Sequence, residues 1–219
     1  VCGPSRQAIM TGRTPARLGI VATTGKLRNE DFVWPKALQE TGYKTLFAGK
    51  WHLGDAESVH RFGFDVNVAG ARMGQPADFY YPYKSHAKRT TFDVPGMEDG
   101  KEGDYLTDAI TTKALRFIDE NKNTPFLLYM SYYAVHKPGI PGVFAQGKKE
   151  HTEYFKKKLA KQSPSGEPTS REVQHGPSTT TESLVQDNAE FASQVKVVDD
   201  NVGRVMEKLR ELGLEDDTI

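Results

Sequence analysis

Cys2 is the only cysteine among 219 residues, which excludes an internal disulfide framework and a zinc site built on several thiolates. A lone cysteine is either an inert small residue or a chemical group. Its setting favours chemistry, because Cys2-Gly3-Pro4-Ser5-Arg6 continues into Met10-Thr11-Gly12-Arg13. Pro4 suits a helix N1 position, and Ser5 to Thr11 can form a short helix ended by Gly12. Cys2 would then lie at a helix N-terminus, where backbone N–H groups and the helix dipole favour negative charge. A second segment, Gly42-Tyr43-Lys44-Thr45-Leu46-Phe47-Ala48-Gly49-Lys50-Trp51-His52, puts a cation two residues from an imidazole that titrates near neutrality. Its Gly-Lys pair suggests a phosphate-binding P-loop. That reading fails, since Trp51 occupies the Ser/Thr position and six residues separate the glycines where that loop has four. The third segment is Tyr133-Ala134-Val135-His136-Lys137-Pro138. Taken alone, His136 could be an ordinary loop histidine.

Positioning these residues requires a sheet. Pro35 opens a predicted helix that stops at Gly42, Lys44 to Ala48 reads as a strand, and residues 49–54 form the loop leaving it. Leu106, Ala109, Ile110, Ala114, Phe117 and Ile118 keep helical spacing, which predicts an amphipathic helix over 105–121. Pro125 marks its exit. Residues 126–130 follow as a short continuous apolar run, suited to a strand buried on both faces. Val195, Val198, Val202, Val205, Met206, Leu209 and Leu212 trace another long helix over 189–212, closed by Gly213. The order strand, loop, helix, strand, loop, helix predicts an α/β sandwich around a largely parallel sheet. Ligand sites in such sheets gather beyond the carboxyl ends of strands, where residues 49–54 and His136 both fall.

Bulk composition narrows the function classes. The length suits one large domain, and hydrophobic and charged fractions of 37% and 26% are those of soluble globular proteins. Lys+Arg and Asp+Glu both total 29, so net charge gives no case for nucleic-acid or membrane binding. No apolar run reaches the length of a membrane span. Six lysines at 148, 149, 156, 157, 158 and 161, interspersed with Glu150 and Glu153, read as a solvated helix face rather than an anion-binding surface. Residues 162–183, rich in Ser, Thr, Pro and Gly, read as a mobile surface loop.

The first segment resembles the type I sulfatase signature, Cys-x-Pro-Ser-Arg followed by Leu or Met and Thr-Gly-Arg, and meets each fixed position. The second resembles the family's Gly-Tyr-x-Thr, three residues, then Gly-Lys-x-His. His136 resembles its pocket histidine. The resemblance runs over almost the whole chain, including Gly63-Phe64-Asp65 and the closing helix from Asp199 to Leu214. It implies an alkaline-phosphatase-like sandwich and hydrolysis of a sulfated carbohydrate or aryl ester. It further implies that a formylglycine-generating enzyme oxidises Cys2 to formylglycine, reading the cysteine, Pro4 and Arg6. By the same resemblance Arg6 holds the hydrated aldehyde, Lys50 contacts both it and the sulfate, His52 is the base for elimination, and His136 binds a sulfate oxygen or assists the leaving alcohol. The resemblance also implies a calcium ion, a hard cation served by oxygen ligands, with residue 2 as one ligand. A periplasmic, secreted or lysosomal location follows from it as well.

The family's remaining calcium ligands, an aspartate pair upstream and an Asp-Asn pair downstream, are not matched within the chain. Asp216-Asp217-Thr218-Ile219 looks like the run-in to a buried strand. Both ends therefore look cut, and residues 1–219 are expected to be a partial catalytic domain, inactive alone. Specificity is expected in loops 71–104 and 139–185. Two other functions stay open at this point: a formylglycine-dependent phosphonate or phosphodiester hydrolase, and a non-catalytic remnant that binds sulfated glycans through the 148–161 lysines. A cysteine hydrolase using Cys2 and His52 would leave Pro4, Arg6 and Lys50 without roles.

Overall fold

A computed structural model of the chain describes residues 2–19, 26–84, 94–161, 170–175 and 178–219. The sheet that organises them has three parallel strands in the order β2-β1-β3: β1 (Lys44–Gly49), β2 (Val66–Val68) and β3 (Phe126–Ser131). Central β1 is buried from Thr45 to Gly49, and its side chains alternate between two cores. Leu46 and Ala48 join one core with Val68, Tyr105, Ile110, Ala114 and Val197. Phe47 joins the other with Met10, Leu27, Trp51, Phe62 and Phe64.

Helices cover both faces, as predicted. On the first face lies α4 (Leu106–Asn121), which buries Leu106, Ile110, Ala114, Phe117 and Ile118. It is held to α6 (Ala189–Glu211) by Asn201 Nδ2 donating to Asp108 Oδ1 at 2.6 Å and Arg204 Nη2 to Thr112 Oγ1 at 2.9 Å. On the second face lie α1 (Cys2–Thr11), α2 (Trp34–Glu40) and α3 (Ala56–Arg61). α1 begins at Cys2 itself, so Pro4 sits inside the first turn rather than at its start. Its lack of an N–H is harmless there.

Several elements depart from expectation. β3 is half-buried at all six positions rather than buried on both faces, because among the described residues it pairs only with β1 and leaves one edge open. Residues 162–183 are not a plain loop: 162–169 and 176–177 lie outside the described residues, but β4 (Ser170–His175) and β5 (Ser178–Ser183) pair antiparallel. Residues 214–219 make a turn in which Thr218 Oγ1 donates to Leu214 O at 2.7 Å. α3 and β2 were not expected. Asp55 caps α3 by accepting the Ser58 N–H at 2.9 Å, and Asp65, leading into β2, accepts the Thr45 N–H at 2.9 Å. The lysine segment forms α5 (Lys149–Leu159), in which Lys156, Lys157 and Lys158 are exposed as expected.

Candidate active site

Parallel pairing of β1 with β3 sets Gly49 opposite Ser131, so both strands end at the same level. Beyond those ends the chain delivers Lys50 and His52 from β1, and Tyr133 and His136 from β3. Gly49 permits the close approach: its φ is +111°, and a side chain there would run into the Ser131 carbonyl. The Lys50 N–H donates to Ser131 O at 2.6 Å and locks the two exits together.

Trp51 anchors the segment between Lys50 and His52. Its indole packs against Phe47, Phe62 and Phe64, and Nε1 donates to Ser58 Oγ at 2.8 Å. With Trp51 fixed in the core, Lys50 is directed elsewhere, and His52 turns with φ at +60°. A non-glycine residue in that region costs on the order of 1–3 kcal/mol, which the surrounding contacts must offset. The His52 N–H donates to Ala71 O at 3.0 Å, and Gly74 lies so close that a Cβ there would sit 2.7 Å from His52 Cε1.

α1 brings Cys2 and Arg6 to the same place. Its far face is seated by buried Met10, by Gln7 Nε2 donating to Lys26 O at 3.0 Å, and by Trp34 Nε1 donating to Ile9 O at 2.9 Å. Arg6 Nη1 donates to the Lys50 carbonyl and, at 2.7 Å, to Ser131 Oγ. Cys2 is half-buried and lies near enough to the Lys50 ammonium to favour its charge. Cys2, Arg6, Lys50 and Ser131 thus form one connected set.

The electrostatics of this set are unusual for a protein interior. Lys50 is only 4% exposed, and among the described residues neither it nor Arg6 pairs with a carboxylate. Burial pushes the Lys50 pKa down, the Arg6 cation pushes it further, and Cys2 opposes both. Burial likewise lowers the His52 pKa, followed by the charges of Lys50, Arg6 and His136. His52 Nδ1 is buried with no hydrogen-bond partner among the described residues. His136 is half-buried, with Nδ1 3.0 Å from Lys137 O, and it reaches His52 through this field rather than by contact. The five residues singled out by sequence therefore gather at one end of the sheet. Ser131 and Gly74 carried no sequence signal of their own, and Tyr133, part of the third segment, donates its hydroxyl to Ala69 O at 2.8 Å.

Calcium does not fit the described residues. No group of three or more His, Cys, Asp and Glu among them is placed to hold a metal ion.

A nucleophile candidate beside one buried and one half-buried cation, neither paired with a carboxylate among the described residues, and beside an imidazole of lowered pKa suits the transfer of an anionic group. The sulfatase family profile matches residues 1–219. The uncharacterized sulfatase YdeN of Escherichia coli is 30% identical over the whole chain, which covers 37% of that relative. The N-acetylglucosamine-6-O-sulfatase of Bacteroides thetaiotaomicron is 32% identical over 64% of the chain and 23% of its own length. Among solved structures, Ps i-CgsB in complex with k-i-k-neocarrahexaose superposes with a TM-score of 0.64 at 28% identity, covering 97% of this chain and 45% of that one. The chain spans less than half the length of these relatives. Matched along its full extent, and with the signature residues converging at the carboxyl ends of a parallel sheet, the chain belongs to the sulfatase family.

Proposed function

We propose that the chain is the part of a sulfuric ester hydrolase that carries its nucleophile and half of its sulfate pocket, within a longer polypeptide. One observation carries this reading. Lys50 lies buried, and Arg6 half-buried, beside Cys2 with no carboxylate partner among the described residues. Buried charges in folded proteins are normally paired, and leaving one unpaired costs several kcal/mol. A bound sulfate monoester supplies the missing anion.

The chemistry follows from the residue types. Cys2, converted by a formylglycine-generating enzyme, hydrates to a geminal diol. Arg6 orients it, and Lys50 holds diol and sulfate together. One diol hydroxyl attacks sulfur as its proton passes to solvent, and the sulfur–oxygen bond to the alcohol breaks with its electron pair on the leaving oxygen, which takes a proton from the His136 side. Arg6 and Lys50 counter charge on the transferring group. His52, kept neutral by burial and neighbouring cations, then accepts the proton of the second hydroxyl. The carbonyl re-forms, sulfate leaves, and water restores the diol. Calcium, which the family generally uses, has no donor cluster among the described residues and no step assigned to it here. A sulfated carbohydrate or aryl ester is the substrate class, and a periplasmic, secreted or lysosomal compartment is the setting.

The full-length protein should hydrolyse an aryl sulfate faster than the matching aryl phosphodiester or phosphonate ester. The reverse order would assign the site to the other hydrolase class. With elimination limiting, kcat should fall on the acid side as His52 takes up a proton, at a pH lowered from the ordinary 6.5 by burial and neighbouring cations and moved back up by the bound sulfuryl anion. A kcat that stays flat through the acid range would remove His52 as the base.

A further inference from the structure

Next to the sulfate pocket, and sharing His52 as a wall, is a cavity of about 440 Å³ whose lining includes Lys26, Leu53, Asp55, Arg61 and Arg72. That volume is within the range that holds small ligands. Its three cations come from separate segments: Lys26 from the stretch ahead of Leu27, Arg61 from the last turn of α3, and Arg72 from the loop after β2. Asp55 is the single carboxylate of the lining, and its Oδ1 is committed to the Ser58 N–H as the α3 cap.

Single unpaired surface cations are ordinary. Here three converge on one concave space, and none has an acidic partner among the described residues. Arg61 reaches only Asn29 Oδ1 at 3.4 Å, a distance too long to satisfy a guanidinium. Arg28, close by in sequence, behaves differently: Nη2 lies 2.9 Å from Asp31 Oδ1, and Nε lies 3.6 Å from Glu30. Acidic side chains are thus available in this region, but they neutralise Arg28 and not the cavity.

We infer that the cavity formed by Lys26, Arg61 and Arg72 beside His52 is a subsite for a second anionic group on the substrate. That group is a sulfate or carboxylate on the same sugar as the scissile ester or on its neighbour. The inference rests on the sulfatase reading, since it takes the scissile sulfate to lie at Cys2, Arg6 and Lys50. A guanidinium pair and an ammonium suit either anion, and their convergence fixes where it sits relative to the ester being cleaved. The substrate class narrows from sulfated sugars in general to those carrying at least two negative groups.

The test uses the full-length protein and three disaccharides: one bearing two sulfates, one bearing one, and one bearing one sulfate plus a carboxylate in place of the second. With the wild type, kcat/KM for the doubly charged sugars should exceed that for the singly charged one by about tenfold or more. In a Lys26→Gln/Arg72→Gln variant that advantage should vanish through KM, while kcat/KM for a simple aryl sulfate stays within about twofold. The ratio between the two doubly charged sugars tells whether sulfate or carboxylate is the preferred anion. Calorimetric binding to a Cys2→Ala protein separates this claim from the catalytic one. Tighter binding of the doubly charged sugars, lost on Lys26→Gln/Arg72→Gln, supports the subsite even if no turnover is found with the wild type. Equal affinity for all three sugars, or equal losses on every substrate in the variant, overturns it.

Discussion

Replacing Cys2 by Ser in the full-length protein should abolish multiple turnover, lowering kcat by about 10⁴-fold or more, while leaving the fold intact. A serine hydroxyl can still attack sulfur and expel the alcohol, since Arg6 and Lys50 remain in place. It has only one oxygen on its carbon, so no carbonyl can form to eject sulfate. The protein should accumulate as a covalent sulfate ester on residue 2. Intact-protein mass spectrometry after incubation with an aryl sulfate reads this as one added sulfuryl group, and rapid mixing as one equivalent of alcohol. Sustained turnover by Cys2→Ser would mean that the second diol hydroxyl is dispensable and the elimination step wrong.

Lys50→Ala should cut kcat/KM by about 10²–10³-fold, the effect of removing one preorganised charge from a transition state. Lys50→Met should be as inactive yet more stable. The buried ammonium has a lowered pKa, so at any pH where folded and unfolded states both hold the proton its charge opposes folding. An apolar side chain of similar length removes that cost, and about 1 kcal/mol would raise Tm by roughly 2–4 °C in a domain of this size. The gain should shrink as pH rises through the lowered folded pKa toward the ordinary lysine value, because the folded wild type sheds its proton before the unfolded chain does. Near-normal activity for Lys50→Ala would remove the main support for the pocket. A fall in Tm for Lys50→Met would show that the charge is compensated.

Much of the site was legible because its residues lie in short segments with fixed spacing. Cys2 and Arg6 share one helix, and Lys50 and His52 share one strand exit. Their meeting across the fold was implied by two strands whose carboxyl ends had to coincide in a parallel sheet. Ser131 was not legible, because its role comes from register: only the pairing of Gly49 with Ser131 brings its hydroxyl to Arg6. Gly74 was hidden for a related reason, since its contact with the His52 ring crosses a loop. The three residues of β2 are too few to show alternation, and α3 holds only six. The β4–β5 hairpin escaped notice because its strands are almost wholly polar, as in the Ser170–Ser183 and Glu172–Thr181 pairs. Continuous apolar composition overstated the burial of β3, which depends on how many neighbours a strand has. An apolar stripe on α6, with Phe191, Val195, Val202 and Met206 exposed, likewise reads as core from sequence alone.

The central claim is that residue 2 acts as formylglycine between Arg6 and Lys50. Its most direct test is peptide mass spectrometry of the full-length protein, produced in a host that contains a formylglycine-generating enzyme. The peptide ending at Arg6 should lack an alkylatable thiol and should be captured by an aldehyde-reactive hydrazide. It should do neither when Pro4 or Arg6 is changed, since the modifying enzyme reads both. An intact, fully alkylatable Cys2 in wild-type protein with sulfatase activity would contradict the account.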